Sequence, residues 1–180
     1  MSFSIPSRRR ALLAMAVAGL AAFGAPAAAQ DAWPSKPIRL IVTFPPGGLL
    51  DVVSRMLAPK LSETLGQPVV VENRPGANGN IGGEMAAKSA PDGYTLLATS
   101  ADMVAVNPYL YKMSFDPARD LDPITQMVKL SMMIVAAPQY PASDAKSLIA
   151  HLKAKPGQSY GTPGIGSAPH LVAENFRMKA

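Results

Sequence analysis

Ser167 and His170 stand three residues apart, and a hydroxyl beside an imidazole is the smallest pair that could do nucleophilic catalysis. Their setting argues for a plainer role. Both fall at the expected start of a helix, where serine is a preferred cap, and no G-x-S-x-G elbow surrounds the serine. Asp51 could act as a general base, but it also stands at an expected helix start, where a carboxylate organises the preceding turn. Asp116, Asp120 and Asp122 lie in a solvated connection without the spacing of a paired acid and base. The chain has no cysteine, and His151 and His170 are its only histidines. Neither a thiolate nor a histidine-rich metal site is expected. These residues predict no enzyme, no metal and no cofactor.

Backbone chemistry remains. Residues 38–51 read IRLIVTFPPGGLLD, an apolar strand broken at Pro45-Pro46-Gly47-Gly48 and followed by a helix starting near Asp51. Such a junction aims unpaired N–H groups and the positive end of a helix dipole into one space, a receptor for carboxylate or phosphate. Residues 69–83 (VVVENRPGANGNIGG) repeat the device, and residues 159–170 (SYGTPGIGSAPH) offer a third version. Gly47 and Gly48 permit close approach to a ligand, and Gly164, Gly166 and Ser167 permit the same farther along the chain. Each glycine alone is explained by turn geometry; their repetition points to a binding cleft. No Gly-Lys-Ser/Thr follows the first loop, and the glycines at 76–82 lack dinucleotide-fingerprint spacing.

The elements that must position these loops alternate. Strands are expected at 38–43, 69–72 and 94–99, and helices at 51–65 and 81–88. The first helix carries Val53, Leu57, Leu61 and Leu65 on one face, with Pro59 expected to kink it and Gly66 to end it. This order predicts an α/β fold with a parallel sheet, right-handed crossovers and a ligand outside the carboxyl ends of the strands. Residues 107–121 are turn-rich and read as a connection. Beyond them, residues 124–137 have strand character, Ser143 is a plausible cap for a helix to Lys155, 159–161 read as a short strand, and Ser167 caps a last helix.

The amino terminus is set apart from this pattern. Arg8-Arg9-Arg10, an apolar run over 11–25 and Ala27-Ala28-Ala29 predict a cleaved export signal over residues 1–29, by a Sec or a twin-arginine route. The full chain of 180 residues carries 17 Lys and Arg against 12 Asp and Glu. The signal holds three arginines and no acid, so 14 basic residues face 12 acidic ones after it. They are scattered, and no nucleic-acid partner is expected.

Several motifs in order carry a resemblance. They are Phe44-Pro45-Pro46-Gly47-Gly48-x-x-Asp51, Gly66-Gln67-Pro68-Val69-Val70-Val71-Glu72-Asn73-Arg74-Pro75-Gly76-Ala77 and Ala90-Pro91-Asp92-Gly93-Tyr94-Thr95-Leu96-Leu97. Asn107-Pro108-x-Leu110-Tyr111 and Gly166-Ser167-x-Pro169-His170-Leu171 continue the series. Together they resemble the substrate-binding proteins of tripartite tricarboxylate transporters, the Bug-type family. The resemblance implies a type 2 periplasmic binding protein, two-lobed and here incomplete, because family chains run on for much of their length again. It places a first lobe at 30–106, an inter-lobe connection at 107–122 and a partial second lobe at 123–180. Uncovered sheet edges and apolar helix faces would follow.

The function implied is capture of a small organic carboxylate in the periplasm by lobe closure, without covalent chemistry, for delivery to membrane permease subunits. A ligand-dependent contact with a membrane sensor is the alternative. Carried onto this chain, the ligand positions are Phe44, Pro46, Gly47, Gly48, Leu49, Leu50 and Asp51, with Ser100 and Ala101 after the third strand. From the second lobe come Thr162, Gly164, Gly166, Ser167, Ala168 and His170, and the turn at 75–79 completes the wall. The family holds its ligand largely through backbone N–H groups and bridging waters. Leu49 and Leu50 depart from the pattern, standing where a small residue and a Thr or Asn are usual. They favour a more apolar acid, or weaken binding.

Overall fold

Ile38–Val42 forms the central strand, β1, and both of its edges are occupied. Helix α1 (Leu49–Leu65) leads to strand β2 (Val69–Asn73), which pairs parallel to β1 with Ile38 opposite Val69 and Val42 opposite Asn73. A 3-10 turn at Ala77–Gly79 and helix α2 (Asn80–Ala87) lead to strand β3 (Thr95–Ala98). This strand pairs parallel to the other side of β1, from Arg39 opposite Thr95 to Val42 opposite Ala98, so the order is β2-β1-β3. The computed structural model describes residues 32–180, and the export signal expected over 1–29 lies outside the described residues. Residues 36–180 form one compact unit.

Alternation along β1 explains why both faces are covered. Ile38, Leu40 and Val42 join Ala58, Val69 and Ala98 in the core, with Leu50, Leu61 and Leu65 of α1 packed against them. Ile41 and Thr43 lie on the other face, against Gly82 of α2. A strand buried on both sides reads as a nearly continuous apolar run, as IRLIV does.

Helix α1 corrects one expectation. Ser54 and Ala58 are its buried residues, and the partly buried Leu50, Leu61 and Leu65 pack against the core. Of the expected stripe Leu61 and Leu65 therefore face the sheet, Leu57 is exposed, and Val53 is not among the residues on the core. At 3.6 residues per turn, positions four apart drift about 40° per step, so a stripe spaced only by fours winds off the sheet. Small Ser54 and Ala58 also let the helix approach closely. The helix runs unbroken through Pro59 and ends at Gly66, whose φ of 68° is the left-handed cap expected.

The remaining elements are helical. Short helices α3 (Ala101–Ala105) and α4 (Asn107–Leu110) follow β3. Helix α5 (Ala145–Ala154) begins one residue later than expected: its cap is Asp144, which closes a capping box with Ser147. Helix α6 (Ala168–Lys179) is capped by Ser167. Neither 124–137 nor 159–161 forms a strand. A strand needs a neighbour to pair its N–H and C=O groups, and these segments have none among the described residues. Residues 124–135 leave apolar side chains in solvent, with Ile124 80% and Val135 83% exposed.

Ile41 is wholly buried at the sheet centre, whereas Val70 on β2 is 53% exposed. Ile41→Ala should lower the unfolding free energy by about 2–5 kcal/mol, read from urea denaturation. Val70→Ala should change it by less than about 1 kcal/mol.

Candidate functional site

The loop after β1 is organised by one carboxylate. Asp51, 3% exposed, accepts the Gly47 N–H on Oδ2 at 2.9 Å. Its Oδ1 accepts from Arg55 Nε at 2.9 Å and Asn73 Nδ2 at 2.8 Å. Asn73 Nδ2 also donates to the Phe44 carbonyl at 3.1 Å, and Arg55 Nη2 donates to Asn73 Oδ1 at 2.9 Å. The Arg55 guanidinium, the Gly47 N–H and the Asn73 amide hold the Asp51 pKa down to about 2. Asp51 is therefore an ionised group of the first turn of α1 that ties down the preceding loop; the cap position itself is Gly48, and the helix starts at Leu49, two residues before Asp51.

The donors of this loop are not the ones its glycines suggest. The Gly47 N–H is bound to Asp51, and the Gly48 N–H donates to the Pro45 carbonyl at 3.2 Å. The glycines supply geometry instead: Gly47 has φ 80°, and a Cβ on Gly48 would lie 3.2 Å from the Pro45 oxygen. The helical ladder starts with the Val52 N–H donating to Gly48 O at 3.0 Å. The N–H groups of Leu49, Leu50 and Asp51 lie ahead of that ladder, at the positive end of a 17-residue helix.

Strand order brings the next group alongside. In a sheet ordered 2-1-3, successive crossovers diverge between β1 and β3, and the crevice opens at their carboxyl ends. Thr43 N–H donates to Ala98 O at 3.2 Å, and the Thr43 hydroxyl bonds the Thr99 hydroxyl at 3.1 Å. Phe44 and Ser100 therefore leave the sheet from neighbouring strand ends. Ser100 Oγ is buried and has no partner among the described residues. Ala101 beside it is exposed.

The turn after β2 contains a cluster that spacing did not reveal. Asn78 has φ 52°, and its Nδ2 donates to Asp102 Oδ2 at 3.1 Å and to Asn107 Oδ1 at 2.8 Å. Asn107, wholly buried, returns Nδ2 bonds to Asn78 O at 3.0 Å and Asn80 Oδ1 at 2.6 Å. Sequence reasoning placed Asn107 in a solvated connection. The available signals were a residue with a side chain, Asn78, inside a glycine-rich turn, and the place of Asn107 at the head of one of the motifs that carry the resemblance.

Residues 162–170 form a self-contained loop. Ser167, 2% exposed, donates its hydroxyl to Gly164 O at 2.6 Å and accepts the His170 N–H at 3.4 Å. His170 Nδ1 accepts the Gly166 N–H at 3.2 Å. The hydroxyl and the imidazole thus have separate partners, and Ser167 works as the cap its position predicts. Among the described residues no hydrogen bond or ion pair joins 44–51 to 162–170. The second loop instead lies against Asn78, Val106, Asn107, Leu110 and Tyr111. Among the described residues no three His, Cys, Asp or Glu side chains cluster as a metal site would require, and no helix is long and apolar enough to cross a membrane.

A parallel sheet with helix starts and glycine turns along its carboxyl edge is shared by open α/β folds, and the solved structures that this chain resembles are periplasmic binding proteins. Periplasmic binding protein BugD is similar with a TM-score of 0.63 at 31% identity, over 81% of this chain and 50% of its own. R. palustris Rpa4515 with adipate is similar with a TM-score of 0.71 at 32% identity, over 81% of this chain and 49% of its own. Protein BugT of Bordetella pertussis is 40% identical over 168 residues, which cover 92% of this chain and 50% of BugT. The family model described as "Tripartite tricarboxylate transporter family receptor" matches residues 53–180, and the chain belongs to that family. It spans about half the length of the curated relatives it matches.

The Asp51 network has a pH signature. Its folded pKa is lowered from 3.8 to about 2, so its stabilisation is fully present well above pH 3.8 and is lost as pH falls toward 2. Asp51→Asn should be less stable than the parent at neutral pH and should lose less stability on acidification through that window, measured by denaturant titration at each pH.

Proposed function

We propose that this chain is the solute-binding component of a tripartite tricarboxylate-type transporter, capturing a small organic carboxylate in the periplasm. The observation that carries this reading is the set of N–H groups at Leu49, Leu50 and Asp51. They open a long helix at the sheet's switch point, held there by the buried Asp51 network. A carboxylate there would meet N–H donors and the helix dipole, with Ser100 as an adjacent hydroxyl. The charge of Asp51 is offset by the Arg55 guanidinium, while the Gly47 N–H and the Asn73 amide orient the carboxylate.

The ligand positions are Phe44, Pro46, Gly47, Gly48, Leu49, Leu50 and Asp51 on the first jaw, with Ser100 and Ala101 beside them. Thr162, Gly164, Gly166, Ser167, Ala168 and His170 form the second jaw. In this reading 30–106 is a first lobe, 107–122 the connection and 123–180 part of a second lobe, which closes on the ligand before delivery to permease subunits. Residues 1–29 direct export. The family, and a relative solved with adipate, support the ligand class. Leu49 is 43% exposed and makes the lip of the first jaw apolar, which suits a dicarboxylate with a long methylene chain.

Adipate should raise the melting temperature in a concentration-dependent way, reaching about 2.7 kcal/mol of stabilisation at a hundredfold excess over Kd. Succinate, with fewer methylenes, should stabilise less. A flat response across mono-, di- and tricarboxylic acids would overturn the reading. Leu50→Thr should narrow the gap between adipate and shorter hydroxy acids, measured by calorimetric titration.

A further inference from the structure

We infer that Thr99, with the buried Thr43 behind it, gives the crevice a side-chain donor, and that the Thr99 hydroxyl donates to an oxygen of the bound acid. The inference rests on the carboxylate reading and adds a contact to that site.

The two threonines are neighbours because the sheet register runs one step past the strands. Val42 stands opposite Ala98 at the end of the β1–β3 ladder, and the Thr43 N–H still donates to Ala98 O at 3.2 Å. Thr43 and Thr99 are the next residues in line. Residues opposite one another in a sheet project their side chains to the same face, and here the two hydroxyl oxygens lie 3.1 Å apart. They join the ends of the two strands between which the crevice opens. A hydroxyl pair at that point belongs to the crevice floor.

Counting protons gives the pair a direction. Each hydroxyl carries one proton, and only one of the two can lie between the oxygens. Thr43 is 1% exposed, and among the described residues its hydroxyl bonds only that of Thr99. Were Thr99 the donor, the Thr43 proton would be shut inside the protein without an acceptor, which burial penalises heavily. Thr43 is therefore the donor. The Thr99 proton is left over, and Thr99 is the partly exposed member of the pair. A carboxylate entering the crevice brings acceptors only, which is what this hydroxyl and the N–H groups at the head of α1 require. Both threonines belong to one sheet, so the donor is in place before the lobes close and does not depend on where the second jaw stands.

The test compares Thr99→Val, Thr99→Ser and the double variant Thr43→Val/Thr99→Val with the parent 180-residue chain. Adipate affinity is read by calorimetry and stability from the urea unfolding midpoint. Thr99→Val keeps the shape and removes the hydroxyl. It should weaken adipate binding roughly ten- to a hundredfold, the span of a hydrogen bond to a charged group. It should also lower the midpoint, because it strands the Thr43 proton. Thr99→Ser should keep most of the affinity. In the double variant neither hydroxyl is left unpaired, so the midpoint should return toward the parent while the affinity stays low. Affinity that recovers along with the midpoint would give Thr99 a role in folding alone and overturn the inference, as would unchanged adipate binding in Thr99→Val. A parent chain that binds no mono-, di- or tricarboxylic acid overturns the carboxylate reading itself, and this contact with it.

Discussion

Parallel pairing on both sides of β1 is the constraint from which the rest follows. Parallel neighbours cannot be joined by tight turns, so each connection must cross back along a face of the sheet. Helices α1 and α2 make those crossings, and the turns leading into them all lie at the carboxyl edge. The loops after β1, β2 and β3 share one region for that reason. A strand paired along both edges must also be covered on both faces, which is why Ile38, Leu40 and Val42 meet one side of the core and Ile41 the other.

Along that edge the polar groups divide into those that hold the structure and those left facing outward. Asp51 and Asn107 belong to the first kind. Each is buried, each binds groups from a distant part of the chain, and a buried polar group left unmatched would be costly. Their demand for partners uses the N–H of Gly47 and the amide of Asn78, so glycine-rich turns supply shape more than donors. The backbone donors that remain are the N–H groups of Leu49, Leu50 and Asp51, and the first two belong to residues with apolar side chains. In the proposed reading, recognition through the backbone is indifferent to that, while the leucine side chains make the surrounding lip apolar. The two roles are carried by different atoms of the same residues.

Much of this was legible beforehand. The strands, the capped helices α1 and α6 and the parallel order follow from local signals: short β-branched runs, Gly66 and Ser167, and short connections. The errors were of one kind. Residues 124–137 have strand composition but no neighbour to pair with, and the fourfold stripe on α1 was placed without knowing which face meets the sheet. The same ignorance of neighbours hid Asn107, whose partner Asn78 lies 29 residues away. Nothing in the residues adjoining either one announces the pair.

By itself, then, the sequence determined where the chain turns, which runs are apolar and which residues can cap or adopt positive φ, because these depend on covalent geometry and near neighbours. It was enough to specify an α/β sheet with glycine turns at one edge and to carry the family resemblance. Only the tertiary structure decided which N–H groups are already bound, which face of α1 is buried and where residues 164–166 rest. Those outcomes depend on atoms brought together from distant parts of the chain, and a hydrogen bond or close contact exists only once both partners have been placed.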